Sequence, residues 1–83
     1  MRANRAYELI VTRAGREPAF LADAKRRDRV EVVSVDDGEV ILYWSVEPKL
    51  ASRLLKELRQ DLIALDADGF IDKWIGADAE DLF

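Results

Sequence analysis

The sequence contains no histidine and no cysteine, and these two absences exclude most of the common chemistry of small protein sites. Without these residues there is no disulfide, no thiolate or imidazole ligand for a metal, and no Ser-His or Cys-His nucleophile. The remaining proton carriers are carboxylates, lysines and two tyrosines, and no pair of carboxylates has a spacing that indicates acid–base catalysis. We therefore predict a chain that is not an enzyme, with no catalytic residues, no metal and no cofactor.

Glycine and long apolar runs are also scarce. The four glycines are scattered along the chain, which excludes a glycine-rich phosphate-binding loop. The apolar run near the N-terminus is only about five residues long and includes Glu8, so it is too short and too polar for a signal peptide or a membrane span. We expect a cytoplasmic protein with no membrane partner, and the lack of cysteine suits a reducing compartment. Arginine makes up most of the basic residues, a usage typical of GC-rich bacterial genomes.

The apolar content is sufficient for one core. With 83 residues, of which 49% are hydrophobic, residues 1–83 are predicted to form a single small domain, with residues 77–83 as a frayed acidic tail. The net charge of −4 is unevenly distributed, because residues 1–34 carry +3 and residues 35–83 carry −7. Such a chain can present a basic and an acidic surface, which would steer its partners or its self-association.

Three segments have the composition of β-strands. The first is YELIVT, from Tyr7 to Thr12, which is rich in β-branched and aromatic residues. RVEVVSV and EVILYWSV flank Asp36-Asp37-Gly38, and an Asp-Gly pair between such runs predicts a β-hairpin. Side chains alternate between the two faces of a strand. The second arm of the hairpin is therefore expected to point one set of side chains towards the core: Val40, Leu42, Trp44 and Val46.

Two segments are predicted to be helical. PAFLADAKRR, residues 18–27, is short, begins with proline and ends with cations that suit the helix dipole. PKLASRLLKELRQDLIALDA, residues 48–67, places its leucines on one side at helical spacing and its cations on the other. The second segment is expected to form a long amphipathic helix that covers one face of the sheet.

The stretch LDADGFIDKW, residues 65–74, resembles the rhythm of a calcium-binding loop. With Gly69 at the sixth position, the first and twelfth positions would be Ala64 and Ile75, so the two most important ligands are absent. The preferred interpretation is the end of the long helix, with Gly69 near its C′ position. The apolar spacing of residues 69–75 suits a helix, whereas the glycine and the residue types favour a strand. A strand is the predicted structure.

These elements follow the order β-α-β-β-α-β. This order is that of the ferredoxin-like fold, an α+β architecture with an antiparallel sheet and helices on one face. If residues 69–75 are helical, the alternative is a three-stranded antiparallel sheet with a short C-terminal helix. The resemblance is one of element order alone, and a fold of this kind hosts many unrelated functions.

The sheet face opposite the helices is the strongest candidate for a functional surface. Two helices cover one face of a sheet, and the other face would then expose a largely apolar set of side chains, which usually marks an interface. We predict a small non-catalytic protein-interaction or regulatory module that forms a homodimer through this face. The predicted interface residues are Ile10, Val33, Val35, Ile41 and Tyr43.

The alternative is a nucleic-acid-binding domain that uses the basic segment 13–29. The candidate contacts to phosphate or another anion are Arg13, Arg16, Lys25, Arg26, Arg27 and Arg29. RNA-recognition domains of similar topology stack bases on exposed aromatic side chains, and Tyr43 is the candidate for that role. The acidic net charge of the chain makes this function less favoured than protein association.

Overall fold

The computed structural model describes residues 1–13 and 27–77. The elements in these ranges are α1 (Ala3–Ala6), β1 (Tyr7–Thr12), β2 (Asp28–Ser34), β3 (Val40–Val46), α2 (Pro48–Ala64) and α3 (Ala67–Trp74). The strands form one antiparallel sheet in the order β1-β2-β3. The chain therefore has an α+β fold with a three-stranded antiparallel sheet and helices, which is the architecture predicted as the alternative.

The β2–β3 hairpin is confirmed at the predicted turn. Gly38 has a φ of 72°, a left-handed conformation that glycine adopts without a steric penalty. Its N–H donates to the carbonyl of Ser34 over 2.8 Å, and the Ser34 N–H donates to the carbonyl of Glu39 over the same distance. The Asp37 carboxylate accepts a hydrogen bond from the Glu39 N–H at 3.0 Å, so both residues of the Asp-Gly pair hold the turn.

A β-bulge changes the faces at the start of β3. Val32 pairs with Leu42 and Val33 pairs with Val40, so Ile41 is an additional residue in β3. The extra residue reverses the alternation between faces, and Val40 lies beside Val33 with 42% of its surface exposed. The prediction that Val40 faces the core is wrong for this reason. Trp44 and Val46, beyond the bulge, are buried as predicted.

The long amphipathic helix is shorter than the sequence indicates. It ends at Ala64 rather than at residue 67, and Leu65 takes an extended conformation with φ −105° and ψ 157°. The Arg2 guanidinium donates to the carbonyls of Ile63 and Ala64 at 3.4 and 3.3 Å, which places a cation at the negative end of the helix dipole. The buried side chains of α2 are Pro48, Ala51, Leu54, Leu55, Leu58 and Leu62.

Residues 67–74 form a helix, so the predicted strand at residues 69–75 is wrong. The N-cap of α3 is Asp66, whose side chain accepts a hydrogen bond from the N–H of Gly69. Gly69 thus lies in the first turn of α3 and not at the C′ position of the preceding helix. Phe70 and Trp74, four residues apart, lie on one face of α3 and are 0% and 2% exposed. Their burial outweighs the preference of the segment for strand.

The ferredoxin-like order is not the order of the described elements. After α1 the described elements follow the order βββαα, in which α3 occupies the place of the predicted fourth strand. In addition, β1 and β2 are adjacent and antiparallel, whereas the split βαβ unit joins parallel strands with another strand between them. The helix predicted for residues 18–27 falls outside the described residues, apart from Arg27, which precedes β2.

The core lies between one face of the sheet and the helices α2 and α3. The sheet contributes Val30, Val32, Trp44 and Val46 to this core, which also contains the buried leucines of α2. Aromatic rings connect α3 to the sheet. Tyr7 stacks on Phe70 with 5.9 Å between ring centroids, and Trp44 meets Trp74 edge-on at the same distance. We call this sheet face the inner face and the opposite one the outer face.

The N-terminal residues join the two helices at their junction. The Ala3 side chain is fully buried, and its N–H donates to the carbonyl of Leu65 at 3.1 Å. The N–H of Ala67 donates to the carbonyl of Met1 at 2.9 Å, and Arg2 forms an isolated β-bridge with Asp66. Residues 1–3 therefore supply hydrogen-bond partners for the Leu65 carbonyl and the Ala67 N–H, which lie where α2 ends and α3 begins.

Candidate interaction surface

The pairing of the strands defines the outer face. Residues paired across antiparallel strands place their side chains on the same face. The outer face therefore consists of three rows that run across β1, β2 and β3. These rows are Thr12, Arg29 and Ser45; Ile10, Glu31 and Tyr43; and Glu8, Val33 and Val40.

Apolar side chains are concentrated in the second and third rows. Ile10 is 41% exposed, Val40 42% and Tyr43 61%, and Ile41 at the bulge is 37% exposed. Val33 occupies the central strand among them and is only 6% exposed. Three of the predicted interface residues, Ile10, Ile41 and Tyr43, are thus exposed on this sheet, while Val33 is buried within it. We call the set Ile10, Val33, Val40, Ile41 and Tyr43 the apolar patch.

Charged side chains interrupt the outer face, which is less apolar than the sequence predicts. Arg29 and Glu31, both on the central strand, form a salt bridge with 3.3 Å between Nε and Oε1. The Arg29 guanidinium also lies 4.8 Å from the centroid of the Tyr43 ring. Arg29 therefore connects the polar row to the aromatic ring at the border of the apolar patch.

Val35 lies beyond the end of β2 and is outside the three rows. Its N–H donates to the carbonyl of Ala6 at 3.0 Å, and 52% of its surface is exposed. The predicted interface set therefore separates into side chains on the outer face and one side chain at the turn end of the sheet.

Cations gather at the end of the sheet opposite the hairpin turn. Thr12 pairs with Arg29 at this end, so Arg13 and Arg27 lie beside the same pair of strand termini. Helix α2 begins there as well, because Pro48 follows closely after Val46, the partner of Asp28. We call this set the basic end: Arg13, Arg27, Arg29, Lys49 and Arg53. The other predicted anion contacts, Arg16, Lys25 and Arg26, are outside the described residues.

The opposite end of the sheet is acidic. It contains the hairpin turn with Asp36, Asp37 and Glu39, all exposed, which we call the acidic turn. Glu8 is nearby in the row of Val33, and α1 adds one cation, Arg5. Charge therefore changes sign along the strand direction, which the uneven charge of the two parts of the sequence does not by itself reveal.

Neither of two surface depressions has the form of an enclosed active site. The first, of about 200 Å³, is lined by Met1, Asp66, Ala67 and Asp68. The second, of about 150 Å³, is lined by Glu47, Lys49, Leu50 and Arg53 at the basic end. Both are shallow and open to solvent. Across residues 1–13 and 27–77, acidic side chains form no group of three that could hold a metal ion.

Comparisons with known proteins assign no function to these surfaces. No protein-family model, no curated protein and no solved structure matches the chain. Within the two described ranges, no helix has the length and apolar character needed to cross a membrane. The inner face packs against the helices, so the outer face and the two charged ends are the surfaces that a partner can reach.

Sequence reasoning overlooks two contributors to these surfaces. Val40 joins the apolar patch through the bulge, and the alternating pattern of β3 carries no signal for an extra residue. Lys49 and Arg53 join the basic end because α2 starts where β3 finishes. That second contribution could have been deduced from the predicted hairpin, since its register places Arg29 beside the end of β3.

Proposed function

We propose that this chain is a non-catalytic interaction module that forms a homodimer through the outer face of its sheet. The observation that carries the proposal is the apolar patch. Four of its side chains remain between 37% and 61% exposed, on the face opposite the core. An apolar cluster of this kind on a sheet face is typical of an interface. A cytoplasmic setting, which the lack of cysteine favours, is part of the proposal.

The composition of the patch supports a protein partner. Tyrosine and arginine are enriched among the residues that dominate binding energy, and here Arg29 lies over the ring of Tyr43. The salt bridge between Arg29 and Glu31 leaves these charges already paired within one copy, so covering them costs less than burying isolated ions. The apolar patch with a charged border thus resembles an interface with an apolar centre and a polar rim.

The expected affinity of such a dimer is modest. Full burial of an isoleucine or valine side chain contributes about 1.5–3 kcal/mol, and the patch residues are already partly covered by their neighbours. The entropy lost when two copies associate and their side chains become ordered offsets much of this free energy. We therefore expect a dissociation constant on the order of micromolar. Dimerisation should therefore be visible over the micromolar concentration range used in sedimentation experiments.

The proposal is tested by comparing two identical substitutions at different surfaces. Ile41→Glu places a carboxylate in the apolar patch, and sedimentation equilibrium should show a dissociation constant at least tenfold higher than that of the unsubstituted chain. Ile63→Glu is the matched control, because Ile63 is 68% exposed on α2 and lies outside the patch. Its dimer should be unaffected. An unsubstituted chain that stays monomeric at high micromolar concentration contradicts the proposal.

A second candidate function is nucleic-acid binding by the basic end. The supporting observation is that three separate segments place cations at this end of the sheet, where Glu47 also lies: Arg13 after β1, Arg27 and Arg29 at β2, and Lys49 and Arg53 in α2. Such a cluster is suited to phosphate groups, and binding would weaken steeply with added salt. The acidic charge of the whole chain makes this candidate the weaker of the two.

Fluorescence anisotropy with labelled single-stranded RNA and DNA at low salt tests the second candidate. Neutralising Arg13 and Arg27 together to glutamine should reduce affinity, whereas Arg59→Gln should not, since Arg59 is exposed on α2 about three turns beyond its start. The absence of binding at low ionic strength, or an equal loss with the control, eliminates this function.

A further inference from the structure

The charge on the outer face changes from positive at one end of the strands to negative at the other, and this polarity restricts how two copies can pack. The row with Arg29 is next to Arg13 and Arg27, and the row with Glu8 and Val33 is next to the acidic turn. A copy seen from its outer face is therefore basic at one end of the strands and acidic at the other. The apolar patch occupies the second and third rows, closer to the acidic end.

Two arrangements bring one outer face against another with two-fold symmetry. Packed sheets of the aligned class keep their strands within about 30° of each other, so the symmetry axis runs either along the strands or across them. An axis along the strands makes the strands of the two copies parallel. The basic ends of the two copies then face each other, and so do their acidic turns. Strand β1 of one copy lies over β3 of the other.

An axis across the strands has the opposite result. The strands of the two copies run antiparallel, β1 lies over β1, and the basic end of each copy lies over the acidic turn of its partner. The same contact occurs twice, because a two-fold interface repeats every interaction. Placing the axis between the second and third rows brings Tyr43 of one copy over Val40 of the other, while Ile10 lies over Glu8 and Glu31 over Val33.

We infer that the homodimer pairs its outer faces with antiparallel strands, so that the basic end of one copy contacts the acidic turn of the other. This inference rests on the proposed function, since it specifies the arrangement of the same interface. Attraction between opposite ends favours this arrangement, and repulsion between like ends disfavours the parallel one. The occupant of the outer face is therefore a second copy in one defined orientation.

Cross-linking between single-cysteine variants distinguishes the orientations, and the absence of native cysteine makes every cross-link assignable. Three exposed positions on the outer face are used: Glu8→Cys, Thr12→Cys and Ser45→Cys. Variants are mixed in pairs and treated with a short bifunctional maleimide. Antiparallel packing predicts a cross-link between Thr12→Cys and Glu8→Cys, which lie at opposite ends of β1. Parallel packing predicts one between Thr12→Cys and Ser45→Cys.

Each outcome of this experiment is decisive. A dominant cross-link between Thr12→Cys and Glu8→Cys supports the antiparallel dimer. A dominant cross-link between Thr12→Cys and Ser45→Cys overturns the orientation and leaves the proposed interface in place. A dimer in which neither pair reacts above the level of Lys56→Cys, an exposed position on α2, overturns the use of the outer face. A monomer in sedimentation overturns the proposed function itself.

A charge exchange gives an independent measurement without cross-linker. Arg27→Glu and Asp36→Lys should each raise the dimer dissociation constant about two- to fivefold at low salt, the range expected for exposed charge pairs. Both substitutions in one chain should return it to within about twofold of the original, because each reversed charge then meets the other across the interface. Additive losses in the double variant overturn the antiparallel contact. High salt should remove the effects of all three variants, since exposed charges are screened.

Discussion

The carboxylate of Asp66 and the backbone of Gly69 are in direct contact, with 2.7 Å between Oδ1 and the Gly69 nitrogen. A β-carbon built on Gly69 would lie 2.9 Å from the same oxygen. A side chain at position 69 would therefore require the Asp66 carboxylate to shift from its position in the cap.

Replacing Asp66 by alanine should destabilise the protein by about 1 kcal/mol, since the first turn of α3 loses its side-chain acceptor. Asp66→Asn should retain most of the stability, because asparagine is an equally good cap. Urea denaturation followed by tryptophan fluorescence measures both, and the m-value should be unchanged. Equal losses for the two variants would show that charge, and not the cap hydrogen bond, is responsible.

Gly69→Ala should not give the usual benefit of replacing glycine in a helix. That change normally stabilises by about 0.5–1 kcal/mol, but here the Asp66 carboxylate must shift away from the new β-carbon, which offsets part of the gain. In an Asp66→Ala background the obstruction is gone, and the same substitution should be stabilising. A double-mutant cycle in urea detects this coupling. Additive effects of the two substitutions would contradict it.

This contact also explains why the strand predicted for residues 69–75 is wrong. Local preferences point to a strand, and Asp66 and Asp68 before a glycine suggest the end of a helix. The decisive facts are the reach of Asp66 to the Gly69 N–H and the space in the core for Phe70 and Trp74. The first could have been considered as an N-cap pattern, whereas the second depends on tertiary packing.

Asp61 joins α2 to α3 through its side chain. Its Oδ2 accepts a hydrogen bond from the Trp74 indole at 2.9 Å and lies 2.6 Å from the Lys73 ammonium. Asp61→Ala should cost about 1–3 kcal/mol, because the indole N–H of a buried tryptophan loses its acceptor. Lys73→Ala should cost less than about 1 kcal/mol, since that side chain is half exposed. Similar losses for the two variants in thermal or urea unfolding would contradict this difference.

Ala3 should tolerate no larger side chain. It is fully buried among α1, α2 and α3, and Ala3→Leu should destabilise the protein by about 1–3 kcal/mol through overpacking. Asn4→Leu, at the next and exposed position of α1, is the control and should be close to neutral. Urea midpoints of the two variants measure the difference. A neutral Ala3→Leu would indicate that α1 is not held against the helices in solution.

The predictable parts of the surface are those set by local pattern. The alternation of YELIVT places Ile10 outwards, and the Asp-Gly turn fixes the hairpin that exposes Tyr43. The bulge that brings out Val40 has no local signal, because it inserts a residue without changing the composition of β3. The burial of Val33 likewise depends on neighbours from two other strands, which no single segment encodes.

The hydrogen bonds between Arg2 and the end of α2 connect parts of the chain that are separated by 61 and 62 positions in the sequence. Forming them closes most of the chain into one loop, and the entropy of that closure must be overcome before the contacts contribute. The hairpin, by contrast, closes over a few residues. We expect the hairpin to be formed in the folding transition state and the docking of residues 1–3 to follow it. Destabilising that docking should therefore accelerate unfolding and leave the folding rate nearly unchanged.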